Sequence, residues 1–299
     1  MIKIANAPCS WGVLEFDISG KTAGYNQVLD EIQETGYAGT ELGDWGFMPV
    51  NPVDLSKELN KRELALVGAF VPVFLKDRSC HNPGMEVALR TAELMAKSGA
   101  ENAFLILADE NGRVKERTQN AGRISPEMGL TSDEWLTFAD GANRIAQEVK
   151  KQTGLRTAFH HHCAGYIETP EEIEIFLSLT DPGLIGLVLD MGHYTFGGGD
   201  PVEALTKYKE RIWHVHFKDC SLEVTEKSIL KGYDYFQSVN AGIFCELGKG
   251  IVDFPAIVKE LKTQNYNEWI VIEQDVLPGM GDPKACALRN REYIRTLGL

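Results

Sequence analysis

No stretch of this sequence approaches the roughly 18 consecutive apolar residues that a membrane-crossing helix needs. Met1 opens directly into Ile2-Lys3-Ile4-Ala5, with neither the apolar core of a secretory leader nor an Arg-rich amphipathic transit segment, so a cytoplasmic protein is expected. Cysteine is sparse and scattered. The six residues Cys9, Cys80, Cys163, Cys220, Cys245 and Cys286 contain no C-x-x-C pair, which suits a reducing compartment better than a disulfide scaffold, and no thiol site is assigned. Positive charge is also short: 30 Lys and Arg against 43 Asp and Glu give a formal net charge of −13. That balance repels phosphate backbones and anionic lipid, so neither nucleic acid nor membrane is expected as a partner. Internal repeats, low-complexity tracts and dividing linkers are absent as well.

What is present is the composition of an ordinary globular protein, 43% hydrophobic and 24% charged over 299 residues. The length exceeds the usual single-domain range but fits one α/β barrel. Short apolar runs alternate with longer segments of helical periodicity from end to end, the pattern of βαβ units around a parallel sheet. Strands are expected near Ile2–Ala7, Tyr37–Leu42, Leu64–Val71, Asn102–Ala108, Arg156–His161, Ile185–Asp190, Arg211–Phe217 and Trp269–Gln274. This predicts a single (β/α)8 TIM barrel spanning residues 1–299 as one catalytic domain. Helix starts are marked at Thr169-Pro170-Glu171-Glu172, Ser132-Asp133-Glu134 and Asp200-Pro201, and a helix over Pro83–Ser98 is expected to close on Gly99. The segments Asp109–Thr131 and Cys220–Gly250 are too long for simple loops. Both follow strand C-termini, where a barrel keeps its active site, so they are candidate lids and substrate walls.

Ligand-capable residues gather at the ends of the late strands. The sixth strand runs Leu187-Val188-Leu189-Asp190, the seventh carries His214, His216 and Lys218 in alternation, the eighth ends Ile272-Glu273, and the fifth ends His160-His161-His162. Alternation puts His160 and His162 on one face and His214, His216 and Lys218 on another. Titratable groups are costly against the helix layer unless paired, which favours His160, Asp190, His216 and Glu273 projecting into the barrel mouth. Two imidazoles and two carboxylates suit Mn2+, Co2+, Fe2+ or Zn2+ better than Ca2+. Taken singly, each residue has a plain structural reading: a strand-end His satisfied in the core, or an Asp capping the next helix. Four consecutive strands ending this way shift the balance toward a metal site. Glu41 either bonds substrate hydroxyls or pairs with a barrel cation, and Trp11 either floors a polyol site or is core. Gly197-Gly198-Gly199-Asp200 lacks the ending of a phosphate loop and reads as a lead into a capped helix.

These motifs resemble the xylose-isomerase-like TIM-barrel superfamily of sugar isomerases, epimerases and dehydratases, and within it the inosose (2-keto-myo-inositol) dehydratase group. The resemblance is carried by Ala7-Pro8-Cys9-Ser10-Trp11-Gly12, Gly39-Thr40-Glu41-Leu42-Gly43, His160-His161-His162, Asp190-Met191-Gly192-His193, His216-Phe217-Lys218-Asp219, Leu247 to Phe254, and Ile272-Glu273. It implies metal ligands at His160, Asp190, His216 and Glu273, with Glu41, His162, His193 and Lys218 lining the substrate pocket. Epimerases of the superfamily carry a glutamate that is both ligand and acid/base where this chain has His160, a departure from epimerase chemistry.

The activity this implies is a hydro-lyase of inositol catabolism. One divalent ion, Mn2+ or Co2+ first, with Zn2+, Fe2+ or Mg2+ also allowed, would serve α-proton abstraction and β-hydroxyl loss from a keto-polyol. His162, Lys218 and Glu273 are the acid/base candidates, with His162 and Lys218 favoured as the pair and their order open; Lys218 would act as base if burial beside the cation lowered its pKa. Trp11, Glu41 and His193 are carried as substrate contacts. The alternative is a metal-dependent ketose isomerase or epimerase using the same site. A small polyol or keto-sugar is the expected partner, and the oligomeric state is left open, a homo-oligomer being allowed.

Overall fold

The computed structural model describes residues 2–13, 23–277 and 279–299. Eight parallel strands close a barrel: β1 (Lys3–Asn6), β2 (Gly39–Glu41), β3 (Ala65–Val73), β4 (Phe104–Asp109), β5 (Arg156–His160), β6 (Ile185–Asp190), β7 (Ile212–Phe217) and β8 (Trp269–Ile272). Neighbours follow chain order around the ring, and β1 pairs with β8 from Lys3 opposite Trp269 to Asn6 opposite Ile272, which closes it. This is the single (β/α)8 barrel expected. β2 is shorter than its apolar run and β4 reaches one residue further, to Asp109.

The strands are apolar runs because helices cover one face and the barrel interior the other. All six residues of β6, Ile-Gly-Leu-Val-Leu-Asp, are buried. Inside the ring Phe104, Ile106, Ala158 and Val188 pack together, and a larger shell between strands and helices includes Phe138, Phe159 and Phe176. Gly186 is required where it stands: a Cβ there would meet the Trp213 ring of the next strand at 2.1 Å.

Helix boundaries follow capping chemistry. Thr169 and Glu172 form the anticipated capping box of the helix Pro170–Leu179. The helix Ser132–Thr153 is capped one residue earlier than expected, because Thr131 accepts from Glu134 N while the Glu134 carboxylate takes Thr131 N. Asp200 caps Pro201–Lys207, and Gly99 follows the helix His81–Lys97 with φ of 95°.

Both long segments are built structures. The first holds a short helix, Lys115–Gln119; the second holds Leu222–Lys231 and Tyr235–Asn240, closed at its base by an antiparallel ladder of Asp219–Cys220 with Phe244–Cys245. Asp219 ties that base by accepting from the backbone N of Cys220, Gly248, Gly250 and Val252. The two segments meet above the barrel. Arg123 donates to the Tyr233 carbonyl at 2.9 Å, and Gly112 lies so close to Phe236 that a Cβ would stand 2.8 Å from its ring. Among the described residues no helix is long and apolar enough to cross a membrane.

Candidate active site

Strand ends converge at the C-terminal mouth. His160 and Asp190 close β5 and β6, His216 sits opposite Asp190 on β7, and Glu273 follows β8 directly. All four are buried. Their facing atoms, His160 Nε2, Asp190 Oδ2, His216 Nδ1 and Glu273 Oε1, form a tight group: Asp190 Oδ2 is 3.7 Å from His160 and 3.8 Å from His216, and His216 Nδ1 is 3.3 Å from Glu273. One ligand atom from each residue lies within 4.8 Å of all the others. Donors about 2.1 Å from a shared cation in tetrahedral array stand about 3.4 Å apart, so the spacing fits one ion. Asp190 Oδ2 and His216 Nδ1 are buried without a hydrogen-bond partner, a cost that an ion between them would relieve. The mixed nitrogen and oxygen set suits a divalent transition metal.

Most of the remaining valences are taken, although His160 Nδ1 is buried without a partner. Asp190 Oδ1 accepts from His193 N, Glu273 Oε2 faces Lys218 Nζ at 3.0 Å, and Glu41 Oε1 accepts from Nε2 of both His216 and His214. Burial works to raise Glu41, but His216 and His214 hold it well below the usual carboxylate range. Burial likewise works against an ionised Glu273, which Lys218 and His216 keep low. His216 goes the other way: burial disfavours its cation, yet Glu273 and Glu41 push it up to about 9.

His162 and Lys218 face the same cleft with opposite charge states. Burial, reinforced by His160 and Lys218, holds His162 neutral with a pKa of about 3. Its Nδ1 lies 2.8 Å from the Cys163 carbonyl, an acceptor that favours the proton on that nitrogen and a lone pair on Nε2. Lys218 remains an ammonium: burial acts to lower its pKa, but Asp275 and Glu273 raise it well above the ordinary lysine value. Without a cation in the site, the two carboxylates outweigh the desolvation and favour the ammonium.

The cleft has a mixed lining: carbon from Ala7, Pro8, Val13 and Phe70, and polar groups from Glu41, Asp44, His160, His162, His216, Lys218, Glu273 and Asp275, with the Phe70 ring 6.0 Å from that of His160. Asn111 and Tyr235 reach in from the two long segments, with the Asn111 amide 3.2 Å from His162 Nδ1 and the Tyr235 ring 5.6 Å from the His162 ring.

Two assignments change. Trp11 does not line the cleft; it lies in the core, in the turn Pro8–Trp11, and its indole donates to Glu31 at 2.6 Å. His193 does not line it either. Fully buried in the helix Met191–Phe196, it stands behind the wall, its ring 3.9 Å from that of His162 and its Nε2 3.4 Å from Lys218 Nζ. Glu41 does border the cleft. Missed from the sequence were Asp275, His214 as a Glu41 partner, Asn111 and Tyr235. Asp275 had a signal, since it follows Glu273 by two residues in an extended run; Asn111 and Tyr235 had none.

Residues 29–297 match the xylose isomerase-like TIM barrel family. The chain is 33% identical over 297 residues to a protein named inosose dehydratase from Geobacillus kaustophilus, covering 99% of this chain and 94% of that one. Solved structures share the fold at lower identity. A probable 3-DHS dehydratase from Bacillus anthracis is 17% identical with a TM-score of 0.69, covering 99% of both chains. The IOLI protein with a bound zinc atom is 15% identical with a TM-score of 0.71, covering 99% of this chain and 96% of that one.

Proposed function

The chain belongs to the xylose isomerase-like TIM barrel family and is a lyase of the dehydratase type, and on that premise we propose that it removes water from a keto-polyol such as 2-keto-myo-inositol. The observation that carries this reading is the placement of His162 and Lys218 in one cleft beside the four ligand-capable side chains, where their surroundings favour a neutral imidazole and an ammonium. Elimination needs those two states together, one group to take a proton and one to give it.

His160, Asp190, His216 and Glu273 would hold one divalent cation, Mn2+ or Co2+ by donor chemistry, and the zinc named for the IOLI protein supports the reading. The cation's contribution is Lewis acidity at the substrate carbonyl, which makes the neighbouring C–H acidic. His162 Nε2 takes the α-proton, and the electron pair of that C–H bond becomes the new C=C bond. Lys218 gives its proton to the β-hydroxyl as the C–O bond breaks, so one water leaves and the enol that remains relaxes to a 1,2-dione. The enzyme resets when His162 releases its proton to solvent and Lys218 takes one from it, Asp275 and Glu273 favouring the ammonium form; His193 lies between the two acid/base groups. Asn111 and Tyr235 close the His162 side against bulk water.

Product analysis after incubating metal-loaded enzyme with 2-keto-myo-inositol tests the proposal. A product lighter by one water, with ultraviolet absorption of a dione, is expected. Deuterium uptake from D2O with no water lost would identify an isomerase or epimerase instead.

A further inference from the structure

Glu41 closes β2, across the barrel from β7, and its Oε1 receives two imidazole N–H groups, His216 at 2.9 Å and His214 at 3.0 Å. An imidazole that donates from Nε2 presents a lone pair at Nδ1 when neutral. In His216 that Nδ1 is the atom turned toward Asp190 Oδ2 and Glu273 Oε1, at 3.8 and 3.3 Å. It is buried, with no hydrogen-bond partner. A carboxylate behind a ligating imidazole fixes both ring orientation and tautomer, and raises the basicity of the ligating nitrogen.

We infer that Glu41 is a positioning residue for the cation site: it sets the tautomer and angle of His216 so that Nδ1 completes the ligand set, rather than serving chiefly as a substrate contact. His214 locks the arrangement. It lies two residues before His216 on the same strand, so its ring points the same way, and it bonds the same carboxylate oxygen. Turning Glu41 toward substrate would break two buried charge-assisted bonds together, and such bonds are the costly ones to lose. The bordering position of Glu41 on the cleft makes substrate contact the rival reading. This inference rests on the cation assigned under the proposed function.

The test is Co2+ titration of the full-length protein against a competing chelator, with the visible Co2+ bands recorded, for wild type, Glu41→Leu and Glu41→Gln. Leucine removes the acceptor, so Co2+ should bind about 10- to 100-fold more weakly and its bands should change. Glutamine keeps an acceptor oxygen without its charge, so an intermediate loss of about 5-fold is expected, and this variant decides the matter if the leucine protein does not fold. Wild-type Co2+ affinity and bands in the variants, with a raised KM for the keto-polyol, would overturn the inference and make Glu41 a substrate contact. No Co2+ binding by the wild type would overturn the cation reading itself, and this inference with it.

Discussion

Glu273 and Asp275 face Lys218 at 3.0 and 3.4 Å and favour its ammonium form, which has a proton to give and no lone pair to take one. Lys218→Met should therefore keep the bound metal while kcat falls by about 10²- to 10⁴-fold, the usual reach of a general acid. Metal content and steady-state rates on the same preparation check this; an unchanged kcat removes Lys218 from the chemistry. At this scale the sequence was legible where strand alternation applies. Asp190 and Glu273 end apolar runs, and His160 and His162 are two apart, so their direction follows from the pleat. The directions of Trp11, for which core was one of two readings, and of His193 were not legible, because each sits beyond its strand in a short helical turn, where the two-residue period no longer fixes which way a ring points.

Asp109, the last residue of β4, ties that strand to the connection carrying His162. Its Oδ2 accepts from Tyr166 N at 2.9 Å, while its Oδ1 is buried without a partner. Burial pushes this carboxyl up to about 7, against the 3.8 of a free aspartate. Between those values the folded chain holds a proton that the unfolded chain has released, so the contribution of Asp109 to stability is full at acid pH and is lost as pH rises toward about 7. Asp109→Asn carries no such titration. Its stability relative to wild type should rise from about pH 4 to about pH 7, by at most about 4 kcal/mol for a gap of roughly three pKa units. Urea unfolding at several pH values measures this, and a difference that does not vary with pH would contradict the assignment. The strands themselves were legible because their apolar runs are bounded by turn residues. The content of the long segments was not: the packing of Arg123 on the Tyr233 carbonyl and of Gly112 on Phe236 joins residues more than a hundred positions apart.

Across the whole molecule, the barrel brings three carboxylates of the late strands, Asp190, Glu273 and Asp275, into one buried region, with Lys218 beside two of them. A divalent cation bound only by the folded chain adds about 2.7 kcal/mol at a hundred times its dissociation constant, a Tm shift on the order of 5 °C in a chain of this size. Thermal unfolding with excess Mn2+ and then with EDTA should show that shift; coincident transitions would count against an ion-stabilised barrel. The eight-unit alternation made this architecture readable in advance, because a barrel repeats one local pattern and closes by that repetition. Registers between distant strands, such as β1 with β8, follow from closure and have no counterpart in any local pattern.

The mixed lining of the cleft, carbon from Ala7, Pro8, Val13 and Phe70 together with the polar set of the late strands, has a stereochemical consequence. A ring-shaped polyol has hydroxyls on its rim and C–H bonds on its two faces, so such a cleft acts as a chiral mould. For the keto-polyol proposed above, such a cleft would tell one face of the ring from the other before any proton moves.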